Sequence, residues 1–254
     1  MKIIKRIINK IFIQLGLEIK KVDRIPNVLE LQSDEKEILN FVIKNKLSMA
    51  SPSRLIATLI ATRYVCQSKI EGDFVECGVW RGGNSIIALQ IINKFKEDKN
   101  IWLYDTFEGM TKPSKYDYEN DTGKNAIIEY NQNKRGENSN WCYASIEDVK
   151  ENIKNFKFNA KINYIKGDII KTLENYSNIP EKISILRLDT DWYDSTKKEL
   201  EILYPKLSVG GVLIIDDYGH WGGCKKAVDE YFRENGKRPL LIPSDYTGRI
   251  AIKI

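Results

Sequence analysis

Across 254 residues the chain has one histidine, four cysteines and no long apolar run. A single imidazole, with Cys66, Cys77, Cys142 and Cys224 forming no CxxC pair, gives neither a zinc site nor a disulfide framework. A reducing, cytoplasmic setting is therefore expected. No stretch approaches the ~20 apolar residues that a membrane-spanning helix needs, and the N-terminus lacks the unbroken apolar core of a cleavable signal. Beyond the N-terminus the chain also lacks net charge. Residues 1–24 carry seven basic and two acidic side chains, which is the whole +5 excess, and the rest balances. A neutral body without a basic stripe argues against a nucleic-acid partner.

In the arm, Ile4, Ile7, Ile8, Ile11, Phe12 and Leu15 recur at helical spacing with lysines opposite them. That pattern suits a helix lying on an anionic membrane face, or packed on its own domain or a second subunit. A homo-oligomer and a peripheral membrane contact are both expectations from this arm. Residues 1–70 read as arm plus accessory helix (45–67), and residues 71–254 as one α/β domain. Within that domain, strands at Asp73–Cys77, Ile101–Asp105, Ile162–Lys166, 183–189 and 212–216 alternate with helices at 85–95, 145–155, 195–207 and 224–235. Such alternation predicts a mostly parallel sheet covered by helices on both faces. A late pair, 239–243 and 249–254, reads as a hairpin that makes the last strand antiparallel. The polar segment 108–143 is too long for a plain connection and reads as a functional lid or a partly disordered stretch.

Ligands of open α/β sheets sit beyond the carboxyl ends of the strands. The first strand ends in ECGVWRGGNS, whose Gly78, Gly82 and Gly83 allow a tight turn but lack the GxGxxG spacing of a dinucleotide site. Glu76 beside that turn would repel a pyrophosphate and attract an ammonium or sulfonium, as in S-adenosylmethionine. Asp105, ending the second strand, is placed to accept hydrogen bonds from ribose hydroxyls. Ser85 and Asp168, near the first and third strand ends, are added as cofactor contacts.

The later strands end in LRLDTDWYD and IIDDYG. Asp189, Asp216 and Asp217 at one edge would repel one another unless a cation sits among them. An all-oxygen set predicts a hard ion, Mg²⁺ first. Asp191, two residues beyond Asp189, is the candidate general base and His220 its rival. Asp194 is expected to cap the following helix.

ECGVWRGG, YDTFEGM, LRLDTDWYDST, VGGVLIIDDYG and CKKAVDEY together resemble the macrocin O-methyltransferase family, over about residues 49–232. The resemblance implies a class I S-adenosylmethionine-dependent methyltransferase fold with a Rossmann-like sheet of seven strands, and a sugar hydroxyl as acceptor. It implies metal ligands at Asp189, Asp216 and Asp217, a base at Asp191, cofactor contacts at Glu76, Gly78 and Asp105, and Ser145 near the adenine. Lys112, Lys115, Lys124, Lys134 and Arg135 in the lid suggest a nucleotide-activated sugar, such as an NDP-hexose or GDP-heptose, serving a surface polysaccharide. A catechol-type methyltransferase and a noncatalytic scaffold stand as alternatives. An apolar slot would favour the catechol, and a polar hollow the sugar.

Overall fold

The computed structural model describes residues 25, 26, 28–136 and 138–254. The amphipathic arm of residues 1–24 lies outside the described residues, and with it the expected membrane and subunit contacts. In chain order the elements are α1 (Ser33–Lys44), α2 (Pro52–Gln67), β1 (Asp73–Cys77), α3 (Gly83–Phe95), β2 (Ile101–Asp105), α4 (Ile127–Asn133), β3 (Lys134–Arg135) and β4 (Asn138–Ser139). There follow α5 (Ile146–Lys154), β5 (Ile162–Lys166), α6 (Ile169–Thr172), β6 (Ile183–Leu188), α7 (Tyr193–Ile202), β7 (Leu207–Ile215), α8 (Gly222–Asn235), β8 (Ile242–Pro243) and β9 (Arg249–Ile252).

Seven strands form one sheet in the order β5-β2-β1-β6-β7-β9-β8, while β3 and β4 make a separate ribbon. The first five run parallel, and β9 is antiparallel to β7 and β8. This is the expected α/β class, with the last strand reversed. Strands buried on both faces read as continuous apolar runs, and all six residues of β6 are buried. Alternation sends Phe74 and Ile185 into a core beneath α1, α2, α3 and α5, and sends Val75, Leu186 and Leu188 into a second core beneath α6, α7 and α8. The accessory helices α1 and α2 thus share a core with the sheet.

Three differences from the sequence reading have physical causes. The accessory region holds two helices, and the one expected from residue 45 starts at Pro52, after a strap whose Ser48, Met49 and Ala50 border the main cavity. The helix expected over 195–207 stops at Ile202, a 3₁₀ turn carries Pro205, and β7 starts at Leu207. Strand β7 therefore begins five residues before the expected position, through Gly210 at φ 82.

The 108–143 insertion packs on the domain rather than hanging free. Gly222 donates its N–H to the Tyr118 carbonyl at 2.8 Å, and Asn120 donates to the His220 carbonyl at 2.8 Å. A methyl group on Gly223 would sit 1.8 Å from Asp117 Oδ1, so the insertion needs a glycine at the start of α8.

Candidate active site

Strand order reverses between β1 and β6, the switch point where ligands bind in open α/β sheets. Asp189 donates its N–H to the Cys77 carbonyl at 2.8 Å. A Cβ on Gly78, at φ 84, would lie 1.9 Å from the Asp189 carbonyl oxygen. Gly78 is thus required by the approach of two chain segments, and the room it leaves for a ligand is secondary. Above these strand ends opens a cavity of about 410 Å³, bordered by Gly78, Asp105, Asp168, Asp189, Asp191, Asp216, Asp217 and His220.

On the β1–β2 side, Asp105 Oδ2 accepts the Val79 and Trp80 N–H groups at 2.7 and 3.0 Å, and Oδ1 accepts that of Phe107 at 2.7 Å. Burial pushes its pKa up while those bonds hold it down. The carboxylate is therefore fixed at the cavity edge. Asp168 accepts the Ile170 N–H at 3.0 Å, caps α6 and also borders the cavity.

Glu76, Ser85 and Ser145 depart from expectation, since none of them borders the cavity. Glu76 is fully buried, receives the Ser85 hydroxyl, and pairs with Arg187 Nη1 at 3.1 Å. Burial lifts its pKa to about 7. Glu76 and Ser85 are thus turned inward by Arg187. Ser145 caps α5, accepting the Asp148 N–H at 3.1 Å.

On the β6–β7 side the acids are only partly settled: Arg187 Nη1 holds Asp189 Oδ2 at 2.6 Å, while Asp191 and Asp217 make no ion pair among the described residues. One ligand atom from each of Asp189, Asp191 and Asp217 lies within 4.8 Å of the others. Asp191 sits at φ 67, a strained region for a non-glycine residue. Burial first, then the Asp189 charge, push its pKa up to about 7, against a hydrogen bond with Asp217. Asp217 is pushed well above the carboxylate range by burial and by the charges of Asp191 and Asp189. Its Oδ2 is buried without a hydrogen-bond partner.

Asp216 is not in this cluster. Arg187 Nη2 takes its Oδ1 and Arg54 Nη1 takes its Oδ2. The trio brought together is therefore Asp189, Asp191 and Asp217 rather than the expected Asp189, Asp216 and Asp217, because two arginines claim Asp216. Among the described residues, six acids, Glu76, Asp189, Asp191, Asp216, Asp217 and Asp245, share two arginines here, Arg187 and Arg54. A hard dication fits that deficit, the orphaned Asp217 oxygen and the all-oxygen donor set.

Around this pocket the acids that shape helices are also distributed differently from expectation. Asp194 lies in the first turn of α7 and does not cap it. Asp117, buried in the insertion, does so by accepting the Tyr193 N–H at 2.8 Å. Beneath the cluster, Glu199 is buried and accepts the Thr190 hydroxyl at 2.7 Å, and burial raises its pKa to about 8.

His220 Nδ1 meets the Tyr246 hydroxyl, and its ring lies edge-on to Trp221 at 4.6 Å. Trp221 packs with Trp192 at 5.0 Å and with Trp141 at 6.1 Å, and Trp141 and Trp221 face the cavity. Of the five lid bases, none borders the cavity. Lys124 pairs with Glu129 at 3.1 Å and Lys115 lies 5.1 Å from the centre of the Tyr116 ring.

Sequence reasoning missed Arg54, Arg187 and Asp117. Arg187 had a signal, a lone charge inside the apolar run ILRLD; the other two had none, since their partners are remote in sequence.

A parallel sheet with its last strand reversed, a glycine turn after β1 and an acid ending β2 are the fold of a class I S-adenosylmethionine-dependent methyltransferase. The solved structure of the O-methyltransferase NovP superimposes with a TM-score of 0.70 at 30% identity, covering 82% of each chain. More narrowly, the chain belongs to the macrocin O-methyltransferase (TylF) family, whose profile matches residues 37–250. It is similar to demethyldecarbamoylnovobiocin O-methyltransferase of Streptomyces niveus, 34% identical over 72% of this chain and 67% of that one. It is also similar to the 8-demethyl-8-(2,3-dimethoxy-alpha-L-rhamnosyl)-tetracenomycin-C 4'-O-methyltransferase of Streptomyces olivaceus, 29% identical over 79% of this chain and 73% of that one.

Proposed function

We propose that the protein transfers the methyl group of S-adenosylmethionine to a hydroxyl of a sugar and requires Mg²⁺ to do so. The observation that carries the metal requirement is the orphaned Asp217 oxygen among three mutually repelling carboxylates beside the cofactor edge. Gly78, Asp105 and Asp168 line the part of the cavity suited to the cofactor, with Asp105 accepting from ribose hydroxyls. Asp189 and Asp217, with Asp191 in the same group, are the residues that would hold Mg²⁺. Bound there, the ion would supply Lewis-acid polarisation, which brings a hydroxyl's pKa toward neutrality.

Asp191 accepts the hydroxyl proton. A carboxylate whose pKa is held near 7 matches a neutral working pH. His220, engaged by Tyr246, positions the acceptor at the rim.

A sugar is favoured over a catechol because acids able to accept several hydroxyls border the cavity beside Trp141 and Trp221. Six aspartates at or just beyond the strand ends, with Glu119 and Glu129, border it, whereas an aromatic diol wants a flat apolar slot. The rhamnosyl named in one relative is a substrate of the same chemical class. The narrower acceptor, a nucleotide-activated sugar for a surface polysaccharide, rested on lid bases that do not border the cavity, so a free or glycoside-linked sugar takes first place.

The test is methyl transfer from labelled donor to a panel of simple glycosides, nucleotide sugars and catechols, with Mg²⁺ or a chelator. Transfer to a glycoside that stops with the chelator is the expected result. Transfer to catechols alone, or transfer indifferent to the chelator, would overturn the reading.

A further inference from the structure

The inference rests on the metal requirement proposed above and concerns a residue that neither the sequence reading nor the family resemblance singles out. Arg54 projects from α2 to the cavity wall, where Nη1 holds Asp216 Oδ2 and Nε lies 3.1 Å from Asp245 Oδ2. Asp245 is itself fixed. It accepts the Ser51 hydroxyl at 2.6 Å and the Thr247 and Gly248 N–H groups at 2.9 and 2.8 Å. The guanidinium therefore has two carboxylates within reach, and losing one leaves it paired with the other.

Asp216 is equally well framed. Its Oδ1 is kept by Arg187, which also holds Asp189 Oδ2 at 2.6 Å, so one buried guanidinium binds the two acids side by side. Its main chain is fixed by the Thr247 hydroxyl donating to the Asp216 carbonyl. The next residue, Asp217, belongs to the trio. Arg54 holds the remaining oxygen of Asp216, and the Arg54 charge is felt at Asp191.

We propose that Arg54 is a positioning residue that competes with the divalent cation for Asp216: the ion takes Asp216 Oδ2 as the guanidinium withdraws onto Asp245. A buried carboxylate stripped of its partner is costly. Exchange of one cation for another leaves Asp216 compensated throughout, and Asp245 does the same for Arg54. Arg54 thereby sets how tightly the site holds metal. By reciprocity, the metal weakens the hold of α2 on the end of β7.

The direct test is a pair of crystal structures of the full chain, with and without Mn²⁺, the ion located by its anomalous signal. The expected result is Mn²⁺ in contact with the Asp216 carboxylate, with Arg54 on Asp245 alone. Mn²⁺ bound by Asp189, Asp191 and Asp217 with the Arg54–Asp216 pair intact would overturn this proposal and spare the metal requirement. No Mn²⁺ at the strand ends would overturn both.

Solution affinity gives a second readout. Arg54→Met should tighten Mn²⁺ binding about tenfold, within the usual range for coupled sites, and Arg54→Lys should stay near the parent. In an Asp216→Asn background the gain should vanish. Weaker binding by folded Arg54→Met, or a gain that survives Asp216→Asn, would overturn the proposal; if Arg54→Met fails to fold, the parent crystals decide.

Discussion

The acids at the end of β2 and those at the ends of β6 and β7 do opposite things with the same chemical group. Asp105 is satisfied by three backbone N–H groups supplied by its own and the adjoining turn. Asp191 and Asp217 are packed against each other and against Asp189, with one buried oxygen unpartnered. The first arrangement is a finished binding surface, rigid before any ligand arrives. The second stores repulsion that only an added cation, or raised pKa values, can relieve. Glu76 and Asp216 show a third outcome, acids absorbed by Arg187 and Arg54 into the scaffold. The lesson is that the use of a strand-end acid depends on its partners: backbone N–H groups fix Asp105, arginines hold Glu76, Asp189 and Asp216, and Asp191 and Asp217 are left to each other.

Substitutions on the two sides should separate these roles, and the largest effect belongs to the unsatisfied side. Asp191→Asn should lower kcat by roughly 10²–10⁴-fold, the usual worth of a positioned general base. Its melting temperature should hold or rise, because a repulsion is removed. An equal loss in His220→Ala alone would transfer the base to the histidine. Arg187→Met should cost about 3–5 kcal/mol of stability in denaturant titration, since the buried Glu76 and Asp216 and the half-buried Asp189 lose one partner. On the satisfied side, S-adenosylhomocysteine at a hundred times its Kd should stabilise the parent by about 2.7 kcal/mol. Asp105→Ala should abolish that shift while leaving the response to Mg²⁺.

The smallest effect is the pH dependence. Asp191 near 7 and Glu199 near 8 both lie above their unfolded values, so the folded state binds more protons than the unfolded one. Stability from these groups is full below about pH 4 and is lost as pH rises through 7 and 8. Melting temperature of chelator-treated protein should therefore fall from pH 5 to pH 8. Mg²⁺ should restore the part owed to Asp191 and Asp217, and Glu199 should keep a residual slope. A melting temperature that climbs over this range would contradict the charge assignment.

What could be read in the sequence follows from how far apart the interacting residues are. Strands Asp73–Cys77, Ile101–Asp105 and Ile162–Lys166 match residue for residue, because an apolar run between turn signals is a local property. The acids at those ends were visible for the same reason. What each acid does was not, since that depends on partners such as Arg54, 162 positions from Asp216. The α7 cap shows the same limit: Asp194 was the nearest acid in sequence, yet Asp117 reaches the helix start from 76 residues away. Glu76 and Ser85 read as cofactor contacts because Arg187, which pairs with Glu76, lies 111 positions away from it.

One measurement bears most directly on the contrast between the two sides: initial methyl transfer after exhaustive chelation, then during titration with Mg²⁺, with donor binding followed in parallel. The account predicts that turnover falls to background and returns saturably with the ion, while S-adenosylhomocysteine binding persists throughout. Full turnover in the stripped enzyme would contradict it.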